Sequence, residues 1–482
     1  MSAPEPATPT ASTSPPAAST LGELRASGWR SVPVAVELRR NAAARIAAGQ
    51  PLVSGVLGFE ETVLPQLENA VLAGHDIILL GERGQAKTRL VRSLVDLLDE
   101  WLPVVAGSEI HDDPTNPVSR YAKDLVAEQG DDTPIAWVHR SDRYGEKLAT
   151  PDTSIADLIG EVDPIRVAEG RYLSDELTIH YGLVPRLNRG IFAVNELPDL
   201  AERIQVGLLN VLEERDVQIR GHRVRLPLDI VLVATANPED YTNRGRLITP
   251  LKDRFGSQIR THYPEDLSTE IAIMHAEAAL PQSPVPIRVP WFIDDIVARV
   301  SHVARRSHVI SQRSGVSVRL SIANYETVVA NALRRTLRTG DAAVVPRVSD
   351  LSAVVQSTQG KIELDTMDDQ EPEQVIAALV ALAVRQCFSE HVTLTEGPAI
   401  VAAFRDEVVV HTGDDLADQA YLDVLATMAS LAEPVGRVAG VDASPGELAA
   451  AVEFVLEGLY LTKRLAKDAA GPRALYRTRD RA

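Results

Sequence analysis

A glycine-containing loop that joins a short apolar run to a helix-compatible stretch constrains the fold of this chain most. The apolar run is Ile77–Leu80, and the loop Gly81-Glu-Arg-Gly-Gln-Ala-Lys-Thr88 follows it directly. Its glycines let the backbone turn tightly, so that amide N–H groups and the start of the next helix face a polyphosphate. A strand, such a loop and a helix in this order are the context in which phosphate binding is expected. The loop therefore predicts a nucleotide site on an α/β core.

The residues of this loop have different predicted roles. Lys87 can neutralise the β and γ phosphates, and the Thr88 hydroxyl can ligate Mg²⁺. Ala86 stands where a glycine is usual; its Cβ is tolerable if the local φ is negative, but it narrows the approach to the backbone. A chance glycine turn with an exposed lysine is the alternative interpretation. The predicted nucleotide-binding residues are Gly81, Glu82, Arg83, Gly84, Gln85, Ala86, Lys87 and Thr88.

A second segment, Gly190-Ile-Phe-Ala-Val-Asn-Glu196, has the pattern of a buried strand that ends in two polar residues. Such an end places polar groups at the carboxyl edge of a parallel sheet, where ligands of open α/β sheets bind. Glu196 can position or deprotonate an attacking water, because phosphoryl transfer mainly needs orientation and charge neutralisation. Asn195 stands where an Asp is expected; it can hydrogen-bond a metal-bound water but brings no charge to Mg²⁺. Reduced metal affinity or turnover is therefore expected, and a strand end with ordinary surface polar residues is the alternative.

Further apolar runs indicate the fold class. Ile135–Val138, Ile191–Val194 and Ile230–Ala234 are short, apolar and bounded by polar or turn residues, and helix-compatible stretches separate several of them. That alternation predicts a parallel sheet covered by helices. Val217–Leu226 alternates around a glycine, which predicts a β-hairpin. After His262 the strand signals fade and helical patterns predominate.

Composition and these patterns divide the chain into five predicted parts. Eighteen of the first twenty residues are Ala, Pro, Ser or Thr, and such a stretch buries too little apolar surface to offset its ordering entropy. The final twenty residues carry seven bases and two acids, and a frayed tail is expected there. The predicted parts are a disordered tail (1–20), an N-terminal helical segment (21–55), an α/β nucleotide-binding core (56–265), a helical lid (266–360) and a mainly helical C-terminal region (361–482).

The composition also excludes several classes of protein. The chain has 482 residues and a net charge of −18, an acidic balance that argues against nucleic-acid binding through bulk charge. The longest apolar run, near Val375–Val384, has ten residues, half of the ~20 that are needed to cross a membrane. The single cysteine, Cys387, rules out an internal disulfide and a cysteine-based zinc site. A cytoplasmic protein without a membrane span is therefore expected.

Together these segments resemble the AAA+ ATPases, and within them the group that holds the magnesium-chelatase I subunit and the MoxR-type ATPases. Val231-Leu-Val-Ala-Thr-Ala-Asn237-Pro-Glu is similar to the family's sensor-1 strand, in which Asn237 would orient the hydrolytic water. Thr249-Pro-Leu-Lys-Asp-Arg254-Phe is similar to the arginine-finger segment, and Gly315-Val-Ser-Val-Arg319 to the start of the sensor-2 helix. The resemblance implies that Arg254 reaches the nucleotide of a neighbouring subunit and that Arg319 binds the γ-phosphate from the lid.

Three more segments fit that group. Tyr181–Gly190 resembles the end of its helix-2 insertion, the Val217–Leu226 hairpin its pre-sensor-1 insertion, and His139–Asp152 the segment that faces its central pore. The resemblance covers roughly residues 50 to 360. It implies a P-loop AAA+ fold, with a central parallel sheet followed by an α-helical lid and a helical C-terminal region.

The resemblance also implies a function and partners. Because an arginine finger acts on a neighbour's nucleotide, an ATP-hydrolysing ring is implied, with a hexamer as the expected assembly and ATP and Mg²⁺ as its ligands. A chaperone-like remodelling motor is implied further, with a partner that carries a von Willebrand A domain and a client protein that the sequence does not identify. Two alternatives stay open: a nucleotide-gated scaffold with weak or no hydrolysis, which Asn195 motivates, and the motor subunit of a metal chelatase.

Overall fold

The computed structural model describes residues 14–162, 178–214, 226–238, 247–311, 315–364, 371–393, 397–404, 409–470 and 473–478. The chain divides into two compact units. The first unit holds residues 1–81 and 86–261, and the second holds residues 82–85 and 262–482. No helix within the described ranges is long and apolar enough to cross a membrane.

The first unit combines helices and strands. Its helices are α1 (Leu21–Ala26), α2 (Val34–Ala47), α3 (Val63–Ala73), α4 (Lys87–Ser93), α5 (Arg120–Gln129), α6 (Ile155–Leu158), α7 (Leu183–Arg186), α8 (Glu202–Glu214) and α9 (Thr249–Arg254). Its strands are β1 (Ile77–Leu80), β2 (Trp101–Val105), β3 (Ile135–His139), β4 (Tyr144–Leu148), β5 (Gly160–Val162), β6 (Ile179–Tyr181), β7 (Gly190–Asn195), β8 (Ile230–Ala236) and β9 (Ser257–Arg260). Short 3₁₀ helices span Leu94–Leu97, Gly130–Asp132, Arg140–Arg143 and Leu197–Asp199.

A parallel sheet with the strand order β4-β7-β8-β1-β9 forms the centre of this unit. β1, β7 and β8 are nearly continuous buried apolar runs, as is typical of parallel strands covered on both faces. Ile77 and Leu79 of β1 pack with side chains of α2, α3 and α4, whereas Ile78 and Leu80 pack with side chains of α7 and α8. Helices therefore cover both faces of the sheet, and the predicted α/β fold class is confirmed.

The register of the sheet brings the carboxyl ends of three strands to one edge. Leu80 of β1 pairs with Ala236 of β8, and Val194 of β7 pairs with Ala234 of β8. The glycine loop after β1 and the polar residues that follow β7 and β8 therefore leave the sheet next to one another. This edge is where ligands of open α/β sheets bind.

The structure corrects the predicted strand composition of this sheet. Ile135–Val138, predicted as one of its strands, does lie in a strand, but β3 pairs antiparallel with β2 in a separate two-stranded sheet. The strand beside β7 is instead β4, which lies within His139–Asp152. β4 and β9 are the two edges of the sheet, and both contain charged or polar side chains. Edge strands tolerate charged and polar residues. β4 and β9 therefore lack the apolar run from which the strands of this sheet are predicted.

The N-terminal tail ends earlier than predicted. Ser19 and Thr20 fall in the predicted tail 1–20, yet the Ser19 carbonyl accepts from the N–H of Ile135 in β3 at 2.9 Å. The Thr20 hydroxyl caps α1 by accepting from the Glu23 N–H at 3.3 Å. Pairing with a distant strand orders these residues, which composition alone does not reveal. Residues 1–13 lie outside the described residues.

A buried ion pair anchors α2 to the residues just before β4. The carboxylate of Glu37 accepts from both terminal nitrogens of Arg143, at 2.8 and 2.7 Å, and both side chains are at most 3% exposed. Arg143 also donates to the Arg189 carbonyl at 2.9 and 2.7 Å, and Glu37 also accepts from the Asp99 N–H at 2.6 Å. These additional hydrogen bonds help to offset the desolvation of the two charges.

The second unit is mainly helical but also contains a sheet. Its helices are α10 (Leu267–Glu277), α11 (Trp291–Arg305), α12 (Arg319–Thr339), α13 (Val354–Thr358), α14 (Pro372–His391), α15 (Gly397–Ala403), α16 (Asp418–Thr427), α17 (Ala429–Ala439) and α18 (Pro445–Leu461), with a 3₁₀ helix at Val348–Ala353. Its strands are β10 (Val410–Gly413), β11 (Leu465–Ala470) and β12 (Arg473–Thr478).

The three strands of the second unit form an antiparallel sheet in the order β10-β12-β11. β11 and β12 lie in the final twenty residues, for which a frayed tail is predicted. Leu465 and Tyr476 of this hairpin are buried. Burial of these two side chains orders a segment whose excess of bases favours a tail, and the prediction is corrected for residues 465–470 and 473–478.

One apolar core extends through the second unit. The rings of Phe292 on α11 and Phe454 on α18 are stacked with centroids 4.5 Å apart, and Phe388 on α14 meets Phe454 edge-on at 5.7 Å. This core includes residues from both sides of position 360. The division of the chain into a lid and a C-terminal region at that position stays a prediction.

Candidate nucleotide site

Three predicted site residues meet at the carboxyl edge of the sheet in the first unit. Lys87, the first residue of α4, is 7% exposed, and its Nζ donates to the Gly81 carbonyl and, at 2.9 Å, to Asn237 Oδ1. Asn237 Nδ2 donates in turn to Glu196 Oε2 at 2.7 Å. The amide of Asn237 thus connects the ammonium group of Lys87 to the carboxylate of Glu196.

Two residues of the site have a left-handed backbone. Glu196 has φ 55° and ψ 48°, and Ala86 has φ 54° and ψ 15°. This conformation costs about 1–2 kcal/mol for a residue with a Cβ. The φ of Ala86 is therefore positive, whereas its Cβ is readily tolerated only at a negative φ. The turn into α4 requires the conformation that a glycine adopts without strain.

Replacing Ala86 by glycine is expected to stabilise the first unit by about 1 kcal/mol, because glycine removes the steric conflict of the left-handed conformation. Ala44→Gly is the matched control: Ala44 is an exposed residue inside α2, and the replacement is expected to destabilise by about 1 kcal/mol. Thermal unfolding of both variants measures the two effects. A lower melting temperature in both would show that Ala86 is not strained.

Gly84 is required in the glycine loop for two reasons. Its φ is +75°, and a Cβ built on it would clash with the Ser317 hydroxyl. Beside it, the Arg83 carbonyl accepts from the Tyr263 hydroxyl at 2.9 Å. Burial raises the pKa of Tyr263, so this hydroxyl keeps its proton and remains a donor. Residues 82–85, which make these contacts, belong to the second unit together with Tyr263 and Ser317.

The predicted magnesium ligands are oxygen donors of the first unit. Thr88 and Asn195 are both half-buried, and Asn195 Oδ1 lies 3.4 Å from Thr235 Oγ1. Within the described part of the chain, no group of three or more His, Cys, Asp and Glu residues is placed to hold a metal ion. A hydroxyl and an amide oxygen suit Mg²⁺ that is bound mainly by water and substrate phosphates, the usual mode for this ion. The residues present therefore fit the predicted ion.

Arg254, the predicted arginine finger, is the last residue of α9 and forms an ion pair with Glu213 of α8. The two side chains are 43% and 36% exposed. An ion pair this exposed contributes at most about 1 kcal/mol to the stability of the fold. Arg254 can therefore exchange Glu213 for another anion at a small cost in free energy.

Arg319, the predicted sensor-2 residue, lies in the second unit. It is the first residue of α12, its side chain is exposed, and its N–H donates to Ser317 Oγ at 3.0 Å. The predicted start of a helix at this residue agrees with the structure. The predicted hairpin Val217–Leu226 lies outside the described residues except for its last residue.

The second unit contains a cavity of about 760 Å³ that the sequence analysis does not predict. Glu453 and Glu457 of α18 line it, and each is at most 7% exposed. Glu453 accepts from the Ser349 hydroxyl at 3.0 Å and from Tyr421, and burial raises the pKa of Glu453. Glu457 accepts from Lys467 Nζ at 2.7 Å. Hydrogen bonds within the wall explain how these carboxylates are buried, and we assign no ligand to the cavity.

One residue beside the site has no predicted role. Thr235, near the end of β8, contacts both Asn195 and Glu196. The signal that marks it is its polarity, since every other residue of Ile230–Ala236 is apolar. A single polar residue in an otherwise apolar strand that leads to a site is therefore the signal that could have marked Thr235.

Comparison with known proteins supports the resemblance. The chain is 27% identical over 244 residues to the magnesium-chelatase subunit ChlI of Nostoc sp. and 24% identical over 353 residues to that of Nephroselmis olivacea. The chain is a relative of the magnesium-chelatase I subunits. The resemblance predicted from the motifs is therefore confirmed. The match covers 48% of this chain and only 59% of the Nostoc protein, against 68% and 94% for the Nephroselmis protein. No protein-family model matches the chain.

Solved structures give weaker matches. A complex of subunits BchI and BchD of magnesium chelatase matches with 19% identity and a TM-score of 0.32, over 71% of this chain and 98% of that one. NtrX from Brucella abortus in complex with ADP matches with 13% identity and a TM-score of 0.35, over 84% of this chain and 71% of that one. Both TM-scores lie below 0.5, so the fold assignment rests on the sheet and on the sequence relatives.

Proposed function

We propose that the chain binds ATP and hydrolyses it to ADP and phosphate. The observation that carries this proposal is the hydrogen-bonded series from Lys87 through Asn237 to Glu196 at the carboxyl edge of the sheet. Phosphoryl transfer to water needs a cation for the phosphates, a group that orients the water and little else from the protein. The similarity to magnesium-chelatase I subunits supports the same reaction.

Each of the three residues has one role in this proposal. Lys87 exchanges its present hydrogen bonds for the β and γ phosphates, whose charge it neutralises. Glu196 orients the attacking water and accepts its proton as the water oxygen bonds to the γ-phosphorus and ADP leaves. Asn237 fixes the direction of the Glu196 carboxylate through its side-chain amide.

Thr88 and Asn195 would hold Mg²⁺ beside these residues, Asn195 through a water. When bound, this ion neutralises charge on the β and γ phosphates. Because Asn195 is neutral, the ion depends on Thr88 and on the nucleotide more than it would with an Asp at this position. The backbone of residues 81–86 is a further proposed nucleotide contact, and the resemblance alone implies the same for Arg319.

Steady-state phosphate release tests the proposal. Glu196→Gln is expected to lower kcat about 10²- to 10⁴-fold, because the amide cannot accept the proton, and to leave ATP affinity nearly unchanged. Glu202→Gln, at an exposed position at the start of α8, is the matched control and is expected to retain wild-type kcat. Both variants and the wild type are measured with Mg²⁺ and saturating ATP.

A nucleotide-gated scaffold is the second candidate function, and the neutral Asn195 favours it. A scaffold binds ATP and assembles but turns it over slowly or not at all. If the wild type releases no more phosphate than Glu196→Gln while both bind ATP, hydrolysis is rejected and the scaffold explains the binding.

A ring in which Arg254 acts on the neighbour's nucleotide gives a specific prediction for mixed subunits. Arg254→Ala and Glu196→Gln are each expected to be nearly inactive alone. In an equal mixture, about one interface in four joins an intact Glu196 to an intact Arg254. Roughly a quarter of the wild-type phosphate release is therefore expected from the mixture, measured after the subunits are exchanged.

The control for this mixture combines Glu196→Gln with the double variant Glu196→Gln/Arg254→Ala. No interface in that mixture holds an intact Glu196, so no recovery is expected. A test mixture as inactive as this control would count against an arginine finger supplied by the neighbour.

The partners and the wider role are proposals from the resemblance. We propose a homo-oligomeric ring, with a hexamer as the expected size, that works as a remodelling motor with a protein containing a von Willebrand A domain. The motor subunit of a metal chelatase is the alternative that the names of the sequence relatives suggest. A cytoplasmic location stays a prediction from the cysteine count.

A further inference from the structure

Thr235 holds the residue that carries the proposed catalytic carboxylate. This threonine is 2% exposed near the end of β8, and its Oγ1 accepts from the Glu196 N–H at 3.1 Å. The same hydroxyl donates to Asn195 Oδ1 at 3.4 Å. One hydroxyl can make both bonds, because it has one proton and two lone pairs.

The position of Glu196 explains why such a contact is needed. Glu196 is the first residue after β7, and its left-handed backbone is a strained conformation for a residue with a Cβ. Strained residues at functional sites persist only where their surroundings over-determine them. The Thr235 hydroxyl fixes the backbone of Glu196, while Asn237 Nδ2 fixes its carboxylate.

We infer that Thr235 is a positioning residue for ATP hydrolysis: its hydroxyl sets the backbone direction from which the Glu196 carboxylate reaches the attacking water. The inference rests on the proposed function. Thr235 lies two positions before Asn237. The end of β8 and the residue that follows it therefore hold both the backbone and the side chain of Glu196. Thr235 also fixes the amide of Asn195, the neutral residue at the position where a charged metal partner is expected.

Two substitutions separate positioning from packing. Thr235→Val keeps the shape of the side chain and removes the hydroxyl; it is expected to lower kcat about 10- to 100-fold and to change the KM for ATP less than about threefold. Thr235→Ser keeps the hydroxyl, and its kcat is expected to stay within about threefold of the wild type. Thr133→Val, at another buried threonine, is the control for the loss of a buried hydroxyl and is expected to retain wild-type kcat.

Amide hydrogen exchange provides a readout that is independent of turnover. The Glu196 N–H is expected to exchange slowly in the wild type and in Thr235→Ser, and at least about tenfold faster in Thr235→Val, because an amide without its partner opens to solvent more readily. The melting temperature of each variant is recorded so that kcat is compared well below unfolding.

The inference is overturned if Thr235→Val has the kcat of the wild type, if Thr235→Ser loses as much activity as Thr235→Val, or if only the KM changes. If the wild type itself releases no phosphate above Glu196→Gln, the proposed function fails. The exchange rate of the Glu196 amide then decides alone whether Thr235 positions this residue, and an unchanged rate in Thr235→Val rejects it.

Discussion

Lys87→Ala is expected to abolish ATP binding at micromolar nucleotide. The ammonium group of Lys87 is buried at the carboxyl edge of the sheet, between the Gly81 carbonyl and Asn237. Removing one partner of a buried, hydrogen-bonded charge pair costs about 3–5 kcal/mol, so the Kd for ATP should rise about 10²- to 4 × 10³-fold. Titration with a fluorescent ATP analogue measures the change.

The control for this prediction is Lys123→Ala, which removes an exposed lysine from α5. This variant should bind the analogue as the wild type does. Circular dichroism of Lys87→Ala should match that of the wild type, because the helix and the sheet do not depend on this ammonium group. Near-normal ATP affinity in Lys87→Ala would mean that the glycine loop does not bind the phosphates.

Glu37→Ala is expected to destabilise the first unit by about 3–5 kcal/mol, because it leaves the Arg143 guanidinium buried without a counter-charge. Arg143 is fully buried, and after this change it keeps only neutral acceptors, the Arg189 carbonyl and, at 3.5 Å, the Asp99 carbonyl. The Asp99 N–H loses its acceptor as well. Denaturant unfolding measures the loss as a lower transition midpoint for the first unit.

An exposed ion pair of the same unit provides the comparison. Arg25 and Asp131 form an ion pair in which the side chains are 55% and 68% exposed. Asp131→Ala is expected to change stability by less than about 1 kcal/mol. If Glu37→Ala costs no more than Asp131→Ala, the pair between Glu37 and Arg143 does not anchor α2.

Sequence reasoning predicts that the proposed site residues meet, because they follow the most regular part of the fold. Buried parallel strands are short apolar runs, and the residues after them meet at one edge of the sheet. Lys87, Glu196 and Asn237 come from three such strand ends and lie together in the structure. Their roles in catalysis remain predictions that the experiments above test.

The same reasoning failed where a residue's state depends on contacts that are distant in sequence. β4 and β9 are polar edge strands, and the apolar β3 pairs outside the main sheet. The C-terminal hairpin is ordered by the burial of Leu465 and Tyr476, although its excess of bases favours a tail. None of these pairings follows from local composition, because strand pairing is decided by tertiary packing.

Backbone conformation is a second property that the local sequence does not predict. The left-handed conformations of Ala86 and Glu196 belong to residue types that rarely adopt them. Thr235 has no predicted role for a related reason: its hydroxyl matters because it accepts from the backbone N–H of the strained Glu196. The ion pair between Arg254 and Glu213 joins two helices and has no local signature in the sequence.

The central claim is that the first unit binds ATP through Lys87 and cleaves it through Glu196. A single-turnover measurement tests it most directly: excess protein is mixed with radiolabelled ATP and Mg²⁺, and bound ATP and ADP are quantified over time. We expect the wild type to convert its bound ATP to ADP, Glu196→Gln to retain intact ATP, and Lys87→Ala to retain neither nucleotide. Conversion by Glu196→Gln at the wild-type rate would contradict the claim.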